Sequence, residues 1–122
     1  MMSTPLKTIR LELARTIGFP DGSPAYGYEF KAPLKADGHI DADAWRTVKD
    51  QCSVRHFRPA MPDEVGYLIH TKHRTWAFSY APGEDDDEPF FRFESHAFKE
   101  GEYVSITGHD RAVLPFKVVR IS

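Results

Sequence analysis

The sequence has a single cysteine, Cys52, so no disulfide can form within the chain, and nothing points to an oxidising compartment. No apolar run approaches the ~18 residues a transmembrane helix requires. The opening stretch from Met1 to Arg15 is broken by Lys7, Arg10, Glu12 and Arg15, and reads as neither a signal peptide nor a span. A cytoplasmic location is expected, with no membrane partner. A basic excess is also missing: 16 Lys and Arg stand against 18 Asp and Glu, a formal charge of −2. Dedicated nucleic-acid binders gain affinity by releasing phosphate counterions and carry a cationic surplus, so nucleic acid is not the expected partner. Absent too are Gly-x-Gly-x-x-Gly, a Gly-rich phosphate loop with lysine, and the Gly-x-Ser-x-Gly of serine hydrolases. Nucleotide binding and serine hydrolysis by familiar routes are unsupported.

Aromatic residues are plentiful. Nine Phe, five Tyr and two Trp occur in 122 residues, and bulky rings favour strands. Hydrophobic residues at 41% and charged residues at 28% are ordinary for one globular domain, and residues 1–122 read as a single unit. A chain of this size buries about two-thirds of its unfolded surface, so stability requires no disulfide or metal.

Alternation marks most of the elements. Ile9, Leu11 and Leu13 share one face of a half-buried strand, with Thr8, Arg10 and Glu12 on the other. Pro20-Asp21-Gly22 and Ser23-Pro24 signal an ordered loop, after which Tyr26, Tyr28 and Phe30 alternate with Gly27, Glu29 and Lys31. One helix is expected near residues 41–50, capped by Asp41, with Ile40 and Trp45 as a hydrophobic staple and Trp45 and Val48 docking on the sheet. Cys52 to Phe57 is a strand of ambiguous facing, since Val54 and Phe57 differ in parity, and Pro59 and Pro62 are expected to end it.

Tyr67 to Thr71 and Thr75 to Tyr80 suggest a hairpin with Ile69 opposite Trp76. That register gathers Tyr67, Ile69, Trp76, Phe78 and Tyr80 on the core face and leaves Leu68, His70, Ala77 and Ser79 outside. Phe91 and Phe93 continue the core beyond a polar loop. A last hairpin, with Glu102 opposite Lys117, carries apolar residues on both faces and is placed centrally, beneath the helix or at a barrel seam. The fold class expected is mainly β, at the margin of α+β: a small antiparallel barrel or sandwich of about eight strands with one short helix.

Three stretches, Thr4–Arg15, Gly-Tyr-Glu-Phe at 27–30 and Gly-Glu-Tyr-Val-Ser-Ile at 101–106, together resemble a family of small uncharacterised proteobacterial proteins of about this length. The resemblance spans most of the chain. It implies a single cytoplasmic domain, and it implies no activity.

Candidate chemistry is sparse. His39, His56, His70, His73, His96 and His109 lack the spacing that lets three or four ligands converge on zinc. No metal and no cofactor are expected. Cys52 beside Val54 reads as a small buried hydrophobe. The alternative is a nucleophile partnered by His56, His70 or His96, or a metal-assisted catalyst, in a small hydrolase. The Glu84–Glu88 run reads as a solvated acidic loop rather than a cation site.

One cluster stands out. Arg55, His56 and Arg58, with Lys72, His73 and Arg74, gather cations near Phe57, Trp76 and Tyr80. Guanidinium forks and ring faces together suit anionic or planar groups. The competing reading is ordinary edge-strand charge. Ligand-binding residues are therefore expected at Arg55, His56, Arg58, Lys72, Arg74, Trp76 and Tyr80. The function expected is a non-catalytic binding or adaptor domain recognising a small anionic ligand or an acidic protein segment. A nucleic-acid accessory domain ranks lower.

Overall fold

A computed structural model describes residues 4–70, 76–80, 88–91, 97–107 and 112–122 of the chain, with only the backbone given for 88–91. Strands β1 (Leu6–Leu13) and β2 (Ser23–Pro33) precede helix α1 (Ala42–Val48) and a 3-10 turn at Lys49–Gln51. Then follow β3 (Ser53–Arg58), β4 (Met61–His70), β5 (Trp76–Ser79), β6 (Glu88–Phe91), β7 (Tyr103–Thr107) and β8 (Val113–Ile121). The protein is mainly β, as its aromatic alternation predicts.

All eight strands form one antiparallel sheet in the order β6-β5-β4-β3-β2-β1-β8-β7. Six strands follow one another as a meander, and the β7–β8 hairpin joins the far side of β1. The sheet curls until its edge strands β6 and β7 approach one another. No ladder joins these two among the described residues, so the barrel is half closed rather than a two-sheet sandwich.

The inside is packed. Ile9, Leu11 and Leu13 of β1 meet Tyr28, Phe30 and Ala32 of β2, Leu68, Trp76 and Phe78 of β4 and β5, and Val104, Ile106, Phe116 and Val118 of β7 and β8. Helix α1 lies at one end of the curl. Asp41 caps it by accepting from the Ala44 N–H at 3.1 Å, and the indole of Trp45 donates to the Leu68 carbonyl at 3.0 Å.

Three expectations are corrected. First, β3 ends at Arg58, before Pro59, as expected, but Pro62 does not break the chain's next strand. Pro59 and Ala60 form a two-residue connection to β4, which runs on through Pro62. Proline is tolerated there because it lies at the start of the strand, beside a bulge.

Second, that bulge, between His56 and Arg58, resolves the facing of β3. Val54 and His56 point inward. Phe57 points outward, yet it is buried because the guanidiniums of Arg10 and Arg55 lie over its ring at 4.4 and 5.2 Å. Gly27 opposite leaves the space, since a Cβ there would meet the Phe57 ring at 3.0 Å and the Leu11 carbonyl oxygen at 1.9 Å.

Third, the β4–β5 hairpin pairs Leu68 with Phe78 and His70 with Trp76. Five residues connect the strands, whereas the expectation assumed an even number, and a slip of one turns every side chain of β4 over. Leu68 is therefore in the core at 1% exposure while Tyr67 is half exposed at 51%; Ala77, expected outside, is buried. The β7–β8 hairpin shifts likewise: Tyr103 lies opposite Lys117, Val104 and Phe116 face the core, and Tyr103 and Val113 face solvent. This hairpin is covered on one face only, and β7 lies at the seam. Phe93 and the acidic residues Glu84 to Asp87 lie outside the described residues.

The register is tested by stability. Leu68→Ala should cost about 2–5 kcal/mol and Trp76→Ala about 3–5 kcal/mol, because each removes a fully buried side chain. Tyr67→Ala should stay within about 0.5 kcal/mol, as for a surface change. Urea unfolding of the three variants measures this, and a large cost at Tyr67 with little at Leu68 would restore the alternative register.

Candidate functional site

The residues expected to bind an anion do not share one surface. Arg55 lies on the outer face of the sheet, its guanidinium 3.0 Å from Asp63 and 3.7 Å from Glu29. His56 is inside the curl, stacked on Tyr28 with ring centroids 4.1 Å apart and its Nδ1 3.6 Å from Glu64. Arg58 reaches the same Glu64 oxygen at 3.4 Å and donates to the Pro62 carbonyl at 3.2 Å. The Tyr80 ring lies 6.4 Å from His56. His56, Arg58 and Tyr80 thus belong to one polar, aromatic cluster at the end of the curl away from α1.

Trp76 belongs to the opposite end. It is completely buried, with its ring stacked on His70 at 4.3 Å and edge-on to Trp45 at 5.5 Å. Lys72 and Arg74, with His73, lie outside the described residues. Among the described residues, then, Arg55 is on the outer face, His56 and Trp76 are shut into the interior, and no exposed ring–guanidinium surface forms. The alternating pattern hid this because β3 changes facing at its bulge.

The outer face offers no cationic stripe. Glu29 accepts contacts from Arg10 at 3.4 Å, Arg55 at 3.7 Å and Arg120 at 3.4 Å, while Glu12 and Asp63 offset two of these arginines. Three guanidiniums against three carboxylates balance. A small recess of about 280 Å³ beside Arg55 and Lys31 lies within this balanced network.

A different site emerges at the helix end of the barrel. The chain leaves β2 and turns through Lys35-Ala36-Asp37-Gly38: Gly38 donates to the Lys35 carbonyl at 2.9 Å, and Lys35 donates to that of His39 at 2.9 Å. Gly38 has φ +90°, and a Cβ there would lie 2.6 Å from the Phe98 carbonyl oxygen, so only glycine lets the two segments touch. Phe98 N–H then donates to the Gly38 carbonyl at 2.8 Å, securing residues 97–101 against the turn. Between this turn, the start of β1 and the end of β8 lies an open groove of about 750 Å³.

Pro5, Leu34, Ala36, Phe98 and Ile121 give the groove an apolar floor, and Lys7, Lys35 and Lys99 line it together with Glu100. No ion pair to any of the three lysines occurs among the described residues. The nearby carboxylates keep their charge: Glu100 lines the groove itself, and the Lys35 ammonium helps to hold both Asp37 and Asp41 below the usual carboxylate range. Glu100 accepts from the Ile121 N–H at 2.9 Å. Asp37 is held below the usual carboxylate range by the His39 N–H, at 3.1 Å, and by the His39 ring. Asp41 is lowered by the Thr4 hydroxyl and by the Ala44 N–H. Lys7, Lys35 and Lys99 are far apart in sequence, and no local pattern signals that they meet.

No family model, curated protein or solved structure matches this chain. What the protein does must be argued from its own geometry.

Two other chemistries find little support in that geometry. No group of three or more His, Cys, Asp or Glu able to hold a metal ion occurs among the described residues. Cys52 is fully buried, its Sγ directed at the Val48 carbonyl at 3.4 Å, and burial pushes its thiol from 9.0 up to about 11. A buried neutral thiol is a poor nucleophile.

This has a pH signature. Below pH 9 the thiol is protonated in both folded and unfolded chains, and its contribution to stability is constant. Between pH 9 and about 11 only the unfolded chain loses the proton, so stability should fall across that window. Cys52→Ala should lessen the fall. Iodoacetamide at pH 8 should modify native Cys52 far more slowly than the denatured chain, and equal rates would show that the thiol is accessible.

Proposed function

We propose that this domain is a non-catalytic binding module that holds a small organic anion in the groove at the helix end of the barrel. The observation that carries this reading is the set of Lys7, Lys35 and Lys99 around an apolar floor, in no ion pair among the described residues and against one lining carboxylate, Glu100. The lining carries a net positive charge, which favours an incoming anion. The volume falls within the range of small-molecule sites, about 300–1,000 Å³. An apolar floor with a few charges suits a ligand that has an apolar body and an anionic head. The burial of Cys52 and its raised thiol speak for binding over thiol catalysis.

The test is a titration with hexanoate, hexanol and hexylammonium followed by backbone amide shifts. Hexanoate should move amides at Lys35–Gly38 and Phe98–Glu100, hexylammonium should not, and affinity should fall as salt rises. Replacing all three lysines by Gln should weaken hexanoate by about tenfold or more, taking roughly 0.5 kcal/mol for each exposed charge contact. Shifts centred elsewhere, or equal binding of the cation, would sink the reading.

A further inference from the structure

Resting on that reading and narrowing it, we infer that the head group the groove accepts is a phosphomonoester on a short apolar body, rather than a carboxylate. The first argument is the kind of cation. All three are lysines, carried by β1, by the turn after β2 and by the segment before β7. A carboxylate is planar and is matched by the flat fork of arginine, whereas ammonium groups are point charges that suit oxygens spread around a tetrahedron. Forks exist in this protein but are committed elsewhere: Arg10, Arg55, Arg58 and Arg120 all lie against carboxylates on other faces.

The second argument is the amount of charge. Three lysines against Glu100 leave the lining with a net charge of +2, and a carboxylate, with one negative charge, would offset half of it. A phosphomonoester carries about −1.5 to −2 at neutral pH, which matches that net charge, and offers three acceptor oxygens. The third argument concerns the rest of the ligand. The floor does not lead into the barrel, because Phe98 is buried edge-on against Phe30 at 5.6 Å and closes the interior. The apolar body therefore lies along the groove, over Leu34 and Ile121, and is short. A soluble ester fits better than a lipid surface. Asp37 is exposed on the turn and Glu100 is exposed in the lining, and a flat anionic membrane would press against both.

Hexyl phosphate and hexanoate, titrated at pH 8 and pH 5 and read by amide shifts, test this. At pH 8 hexyl phosphate should bind at least about tenfold more tightly than hexanoate, as expected for an added charge shared among three lysines. The preference should shrink at pH 5, where the ester takes up a proton with a pKa of about 6. Lys35→Gln with Lys99→Gln should remove the preference while leaving the melting temperature unchanged. Equal affinities at pH 8 would overturn this inference and leave the anion-binding reading standing. Loss of groove shifts with both compounds would overturn both. Binding to vesicles containing phosphatidic acid, without binding of soluble hexyl phosphate, would also overturn it.

Discussion

The ladder between β1 and β8 sets Ile9 beside Ile121 and Leu13 beside Phe116, and it turns a six-strand meander into a curled sheet with an inside. Strand β1 is thereby paired on both edges, and Ile9, Leu11 and Leu13 become part of the core. Without that ladder, β7 and β8 would form a two-stranded hairpin with one apolar face uncovered, an arrangement of marginal stability in water. The groove depends on it too, because one wall is the start of β1 and another is the end of β8.

The two ends of the curl solve different problems. At the end away from α1, polar groups enter the interior and face one another: Glu64 lies 3.6 Å from His56 and 3.4 Å from Arg58, and His56 stacks on Tyr28. Burying such groups is costly unless they pair, and removing one partner strands the other. This explains why cations that look like a recognition surface in the sequence serve the structure instead. At the helix end the interior is sealed by rings, with Trp45, His70 and Trp76 in mutual contact, and the charged groups lie outside the seal. Lysines outnumber acids in the lining there, three against Glu100.

Much of the architecture was legible in the residues. The alternation in β1 and β2, the Asp41 cap and the inward facing of Trp76 and Phe78 all follow from local pattern, because each depends on neighbours two to four positions away. What failed failed for a shared reason. The registers of both hairpins were off by one, since several combinations of apolar residues on β4 and β5, and on β7 and β8, look equally good until the connection length is known. The facing of Phe57 was ambiguous because a bulge has no distinct sequence signal, and because a phenyl ring can be covered by arginines instead of by a core.

The sequence by itself determined the class of this protein: one mainly β domain, near charge balance, with one capped helix and a lone cysteine suited to burial. Only the tertiary structure decided which cations are free to act. Arg55, His56 and Arg58 look adjacent and available along the chain, yet two strand pairings hand them to Glu29, Asp63 and Glu64. Lys7, Lys35 and Lys99 look unrelated, yet the β1–β8 ladder and the contact of Gly38 with Phe98 bring them to one groove. Coulomb attraction depends on distance in space, and distance in space between remote residues is set by the pairing of strands rather than by spacing along the chain.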